Sequence, residues 1–315
     1  MIKVSGLTKY YGSKKAIEDI SFELEDGKIY GFLGPNGAGK STTMNIMTGY
    51  IGATSGTVEI NGYDILDEPE KAKKNIGYLP EIPPLYPDMT VEEYLLFAAE
   101  LKSVPRKERK AHVREIEEKT GISEVRGRLI KYLSKGYRQR VGFAQALVSY
   151  PDVIILDEPT VGLDPSQIIE IRKLIRSLSK SHSVIISSHI LSEIQEIADR
   201  VVIINNGKIA AVDTLTDLSK RLSGQSKLLM SFRGPVKECS AKIRTLPGIT
   251  SAVPRVADSK YSQLEIVIAG DNINSVKESI FFMMANSGWP ILELRSLDPS
   301  LEEVFLNITS GKKRA

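Results

Sequence analysis

Two periodicities alternate along the chain. Residues 2–8 and 17–24 alternate apolar with polar positions, as half-buried strands do, and Asp26-Gly27 then marks a turn. Residues 29–33 form a short apolar strand that runs straight into the glycine-rich segment Gly34 to Gly39, and residues 41–49 continue as a helix. From residue 83 to about 150 the character changes: residues 91–102, 106–120 and 135–149 carry helical spacing and many charges, which predicts a helical insertion. Apolar strands return at Val153–Leu156, 184–187 and 201–205, separated by helical patterns at 166–178 and 191–198. Strands alternating with helices predict a parallel sheet covered on its faces.

A break falls near residues 222–227, where Ser223-Gly224-Gln225-Ser226 reads as a linker. Beyond it the pattern is strand (228–233), helix (236–246), strand (250–256), strand (263–269), helix (273–287) and strand (291–297), with a last helix expected over 300–308. The order βαββαβ predicts a small ferredoxin-like domain. Two domains are therefore expected, 1–222 with its helical part at about 83–150, and 227–315.

Composition narrows the partners. The apolar fraction is 42%, the charged fraction 26% and the formal net charge +3, so nothing calls for a polyanion and no nucleic acid is expected as partner. Cys239 is the single cysteine, which excludes an internal disulfide and fits a reducing cytosol. No apolar run approaches the roughly 18–20 residues that span a bilayer, and the first residues lack the apolar core of a signal peptide. Any service to a membrane is expected from its cytoplasmic face, peripherally, through another chain. Lys312-Lys313-Arg314 reads as a solvated end.

Two segments carry chemistry. Gly34-Pro35-Asn36-Gly37-Ala38-Gly39-Lys40-Ser41 fits G-x-x-x-x-G-K-[ST] in full, between a strand and a helix, and Thr42 follows it into the helix. Its backbone N–H groups and the helix N-terminus suit a β-phosphate, Lys40 is a point charge for the β/γ-phosphates, and the Ser41 hydroxyl suits Mg²⁺. Val153-Ile154-Ile155-Leu156-Asp157-Glu158 is an apolar strand ending in two carboxylates. Asp157 is placed to hold Mg²⁺, and Glu158, pointing elsewhere, to polarise an attacking water. ATP and Mg²⁺ are the ligands this pair of motifs implies.

Around these motifs the chain resembles the cassettes of the ABC ATPases over about residues 1–220. Five further elements stand in the family's order: Tyr11 in Tyr10-Tyr11-Gly12; Glu81 in Gly77-Tyr78-Leu79-Pro80-Glu81; Leu133-Ser134-Lys135-Gly136-Tyr137-Arg138-Gln139-Arg140; Gly162-Leu163-Asp164; and His189. The resemblance implies that Tyr11 stacks on adenine, that Glu81 joins Ser41 and Asp157 at the metal, and that His189 acts with Glu158. It also implies that Ser134, Lys135 and Gly136 address the γ-phosphate held by a second protomer, with Asp164 at the dimer seam. Asp164 and Ser134 are equally well placed as helix N-caps. The tail, including Leu297-Asp298-Pro299-Ser300-Leu301-Glu302-Glu303-Val304-Phe305, is similar to the C-terminal extension of cassettes from drug-export and gliding-motility transporters. Two motifs depart from the commonest pattern: Glu81 stands where Gln is usual, and Lys135 and Tyr137 replace a Gly and the Gln of the signature.

The fold so implied is α/β, a P-loop ABC cassette with an antiparallel β edge and a helical subdomain, followed by a small α+β (ferredoxin-like) C-terminal domain. The implied function is ATP hydrolysis by a homodimer that drives a separate integral-membrane permease, as an exporter. The rival is a non-transport ABC ATPase acting on DNA or ribosomes. Against it, no sustained heptads appear between Lys40 and Asp157, and the chain carries one cassette, not two. A regulatory cassette, whose C-terminal domain binds a small ligand or a protein, also remains open.

Overall fold

A computed structural model describes residues 1–214, 217–218, 226–255, 261–269, 273–297 and 305. The chain divides into two compact units, Met1–Leu215 and Thr216–Ala315.

The first unit holds two sheets. β1 (Ile2–Tyr11), β2 (Lys14–Leu24), β4 (Ser55–Ile60) and β5 (Tyr63–Asp64) form an antiparallel sheet in the order β2-β1-β4-β5. The second sheet takes the order β10-β9-β3-β8-β7-β6, built from β3 (Ile29–Leu33), β6 (Ile76–Leu79), β7 (Val153–Leu156), β8 (Ser183–Ser188), β9 (Arg200–Asn205) and β10 (Lys208–Asp213). Its strands run parallel except the β9–β10 pair. Every residue of β3, β7 and β8 is buried, which is why β3 and β7 read as continuous apolar runs and β8 keeps one at its centre.

Helices α1 (Lys40–Met47), α2 (Pro69–Lys74), α3 (Val91–Leu101), α4 (Arg109–Thr120), α5 (Lys135–Leu147), α6 (Pro165–Leu178) and α7 (Leu191–Ile197) complete the unit. α3, α4 and α5 are the helical insertion. α3 opens on a full capping box between Thr90 and Glu93. α4 starts three residues later than its charge pattern suggests, because Pro105 opens a turn whose carbonyl accepts from Glu108 and Arg109 N–H. α1 stops two residues short of the expected end, since Gly49 lies at φ 65, in the left-handed region.

The second unit follows the expected order. β11 (Ser226–Phe232), α8 (Val236–Ile243), β12 (Ile249–Arg255), β13 (Ser262–Ile268), α9 (Ile273–Asn286) and β14 (Ile291–Ser296) give an antiparallel sheet in the order β12-β13-β11-β14. This is the ferredoxin-like arrangement. Leu228, Met230, Phe232, Leu264, Ile266 and Ile268 project from the two central strands into one core with Ile243 and Ile280. The helix expected at 300–308, the linker residues 223–225 and most of the segment 297–305 lie outside the described residues.

Candidate nucleotide site

The glycine-rich loop owes its shape to residues without side chains. Gly37 and Gly39 sit at φ 78 and φ 111. A Cβ on Gly39 would stand 2.6 Å from Ile17 Cγ2, and one on Gly34 would stand 2.5 Å from the Ile204 carbonyl oxygen. Glycine is thus required at 34 by the close approach of β9, and at 39 by the close approach of β2 as well as by conformation. The turn is closed by Ala38 N–H to Pro35 O (3.1 Å), and Thr43 Oγ1 donates to Gly39 O (2.9 Å) at the start of α1. Pro35, Asn36 and Gly37 are exposed at the tip, Ser41 is exposed and Thr42 half-buried on the first turn.

Lys40 is buried, and its ammonium donates to Gly34 O at 2.7 Å. It also lies 3.9 Å from Glu158 Oε1. Burial pulls this ammonium below the usual lysine range, and the charges of Glu158, Asp157 and Glu81 oppose that pull. Four expected residues thus share one electrostatic neighbourhood, although Glu81 and Lys40 are far apart in sequence.

β7 delivers the two acids. Asp157 is buried, and its backbone N–H donates to Leu79 O (2.8 Å), continuing the β6–β7 ladder. Glu158 leaves the ladder with φ 48, an uncommon conformation for a residue with a side chain. Glu158 Oε2 meets His189 Nδ1 at 2.9 Å. With Nδ1 carrying the proton, His189 donates.

Ser187 was not among the expected residues. Its hydroxyl donates to Asp157 Oδ1 (2.5 Å) and accepts from Glu158 N–H (2.8 Å), so one side chain of β8 holds both acids. A second clamp follows: Thr160 Oγ1 donates to the buried Glu193 Oε2 (2.6 Å), which Ser188 also reaches at 3.3 Å. The sequence signal for both is the polar pair Ser187-Ser188 closing an apolar strand before His189.

Ser41, Glu81 and Asp157 line one cavity of about 670 Å³, together with Asn45 and Tyr78. Tyr78 OH donates to Asn45 Oδ1 (3.1 Å), and burial pushes its phenol above the usual range. One hydroxyl and two carboxylates are hard oxygen donors of the kind Mg²⁺ takes alongside phosphate and water. Among the described residues no group of three or more His, Cys, Asp or Glu forms a metal cluster. A ligand set leaning on a hydroxyl and on nucleotide oxygens fits that, and Asp157 Oδ2 has no protein partner among the described residues.

The remaining expected residues are set by other elements. Ser134 is the N-cap of α5, accepting from Tyr137 N–H (3.3 Å). Asp164 is the N-cap of α6 in a capping box with Gln167, with Pro165 at the first turn. Hydrogen bonds from Ser166 and the Gln167 N–H hold its carboxyl below the ordinary range. A Cβ on Gly136 would stand 2.8 Å from the Gln167 side chain, so the start of α5 packs on the start of α6. Among the described residues no hydrogen bond or ion pair joins Ser134, Lys135 or Gly136 to residues 34–41. Tyr11 ends β1 opposite Lys14, half-exposed, with the Lys9 ammonium 5.5 Å from its ring centroid.

The sequence profile described as ABC transporter matches residues 17–161. The linearmycin resistance ATP-binding protein LnrL of Bacillus subtilis (strain 168) is 33% identical over 315 residues, covering all of both chains. The bacitracin transport ATP-binding protein BcrA of Bacillus licheniformis is 42% identical over 223 residues, 70% of this chain and 72% of its own. Among solved structures, the dimeric structure of MJ0796, a bacterial ABC transporter cassette, is 26% identical with a TM-score of 0.62, covering 68% of this chain and 98% of its own.

Proposed function

The chain belongs to the ABC transporter family as an ATP-binding protein, and from that premise we propose that it is the motor of an exporter, a homodimer that hydrolyses Mg-ATP and drives a separate integral-membrane permease from the cytoplasmic face. The observation that carries this reading is the meeting of Glu158 with Lys40 on one side (3.9 Å) and His189 on the other (2.9 Å), beside a cavity that Ser41, Glu81 and Asp157 share.

Each group has one task. Backbone N–H groups of residues 34–39 and the N-terminus of α1 hold the phosphates. Lys40 exchanges its bond to Gly34 O for a phosphate oxygen. Ser41, Asp157 and Glu81 would hold Mg²⁺, which supplies charge neutralisation at the phosphates when bound. Glu158 accepts a proton from the attacking water, and His189 keeps the carboxylate oriented through Oε2. Tyr11 offers its ring to adenine. Ser134, Lys135 and Gly136 face the nucleotide of the second protomer, with Asp164 at the seam. The dimer is supported by the dimeric MJ0796 cassette, and export by the resistance and transport named for LnrL and BcrA. On this reading the cassette spans residues 1–222 and an accessory domain residues 227–315. Among the described residues no helix is long and apolar enough to cross a membrane, so on this reading the pathway belongs to another chain.

The test is co-purification from membranes followed by ATPase measurement in lipid. A co-purifying polytopic protein that raises the ATPase rate supports the reading. An ATPase that responds to DNA or ribosomes and to no membrane protein overturns it.

A further inference from the structure

We propose that Lys135 is a positioning residue for Glu81: its ammonium, seated over Gly162, draws the Glu81 carboxylate toward the first turn of α5 and away from the cavity that holds Ser41 and Asp157. The proposal rests on the reading of that cavity as the metal side of the nucleotide site.

Glu81 borders two cavities. One is shared with Ser41 and Asp157. The other, about 530 Å³, is shared with Lys135, Arg138 and Val161, and Glu81 is the one carboxylate among its lining residues. The carboxylate, exposed on its loop, therefore has two destinations. In the first it shares Lys73 and Lys102 with a second acid, Asp157, and its charge also reaches Lys40; in the second it stands alone among Lys131, Lys135 and Arg138.

The cations differ in how far they are already satisfied. Lys131 pairs with Asp88 (2.9 Å). Arg138 donates to Leu133 O (3.0 Å). Lys135 has neither an ion pair nor a hydrogen bond among the described residues. Its place is nonetheless defined. Gly162 lies at φ 70, and its missing side chain leaves the space that the Lys135 ammonium occupies; a Cβ there would also stand 3.2 Å from Lys135 Cε. The first turn of α5 contains no acidic residue, so the positive end of the helix is uncompensated as well. A cavity of this size spans about one Debye length, roughly 8–10 Å, over which a charge pair still interacts. Of the three residues at which the chain departs from the commonest family pattern, Glu81 and Lys135 thus carry opposite charges and line the same space.

The test uses the full chain and two readouts. In equilibrium binding of a fluorescent ATP analogue, Lys135→Met should lower the Mg²⁺ concentration for half-maximal binding by about three- to tenfold, the size expected for releasing one nearby charge pair in a solvent-screened cleft. Lys135→Arg should keep the wild-type value, and in a Glu81→Gln background Lys135→Met should change it less than about twofold. Equal shifts with and without Glu81, or no shift in either, overturn the proposal. Without nucleotide, acetylation of Lys135 by an amine-reactive ester, followed by mass spectrometry, should speed up about two- to fivefold in Glu81→Gln, because a side chain held at a carboxylate is less accessible to the ester. Lys131, held by Asp88, is the internal reference. Unchanged acetylation of Lys135 overturns the pairing. A wild-type chain that binds no nucleotide in the presence of Mg²⁺ instead refutes the proposed function, and the acetylation result then decides the pairing alone.

Discussion

Glu158→Gln separates chemistry from binding more cleanly than any other single change. The substitution keeps side-chain size and leaves the backbone N–H bonded to Ser187 Oγ at 2.8 Å, so the φ 48 conformation has its support. What disappears is a negative charge 3.9 Å from the Lys40 ammonium and the acceptor that faces the attacking water. Losing a positioned general base costs about 10²- to 10⁴-fold in kcat, equivalent to about 3–5 kcal/mol in the barrier. The cost in stability is smaller, about 1.5–3 kcal/mol, because Lys40 keeps its bond to Gly34 O (2.7 Å) and the charges of Asp157 and Glu81. Binding should persist, since Lys40 and the loop N–H groups are untouched and a repulsive carboxylate is gone. The assay is phosphate release at saturating Mg-ATP, paired with equilibrium binding of a fluorescent ATP analogue and size exclusion, where unhydrolysed ATP should hold a stable dimer. A kcat within tenfold of wild type, at full nucleotide occupancy, refutes Glu158 as the base. Loss of binding refutes the assignment of separate roles to Lys40 and Glu158.

Four further outcomes are expected. Lys40→Ala should remove most ATP binding, and unchanged affinity with Mg²⁺ present, measured by the same fluorescent analogue, sinks the phosphate-loop assignment. Gly37→Ala meets no atom within 4 Å and should cost about 1 kcal/mol for its positive φ, whereas Gly39→Ala also collides with Ile17 and should cost about 3 kcal/mol or more; equal thermal shifts for the two variants contradict the packing argument. Glu265 is held below the ordinary carboxylate range by Lys227 and then Arg255, so its stabilisation is present above about pH 4.5 and is lost as pH falls through the lowered value. Glu265→Gln should therefore cost about 1 kcal/mol near neutrality and nothing well below pH 4, followed by the fluorescence of Trp289, the single tryptophan, which lies in the second unit; a penalty that persists in acid rules out the ionic origin. A chain ended at Ser226 should stay soluble and bind ATP, and its aggregation would show that residues 227–315 complete the cassette.

What the sequence settled alone is whatever is written in contiguous residues. The loop from Gly34 to Ser41 and the acid-terminated run Val153–Leu156 are legible because a phosphate cradle and a buried parallel strand each need their residues in immediate succession. The caps Ser134 and Asp164 are legible for the same reason, each being bonded to an N–H three residues on. The βαββαβ order of the second unit follows from local periodicity, and its sheet order follows from the few ways such an order can pair. Short polar elements escaped. β4 carries three exposed residues at its start and α2 buries only Ala72, so neither leaves an apolar period to read. Only the tertiary structure decided which distant groups share a space. Ser187 holds Asp157 and Glu158 because β8 lies beside β7 in register, a fact no local pattern encodes. Glu81 faces both the Asp157 cavity and the Lys135 cavity because the segment after β6 passes between them. Electrostatic partnership depends on distance through space, and strand order and helix packing set that distance after the local elements have formed.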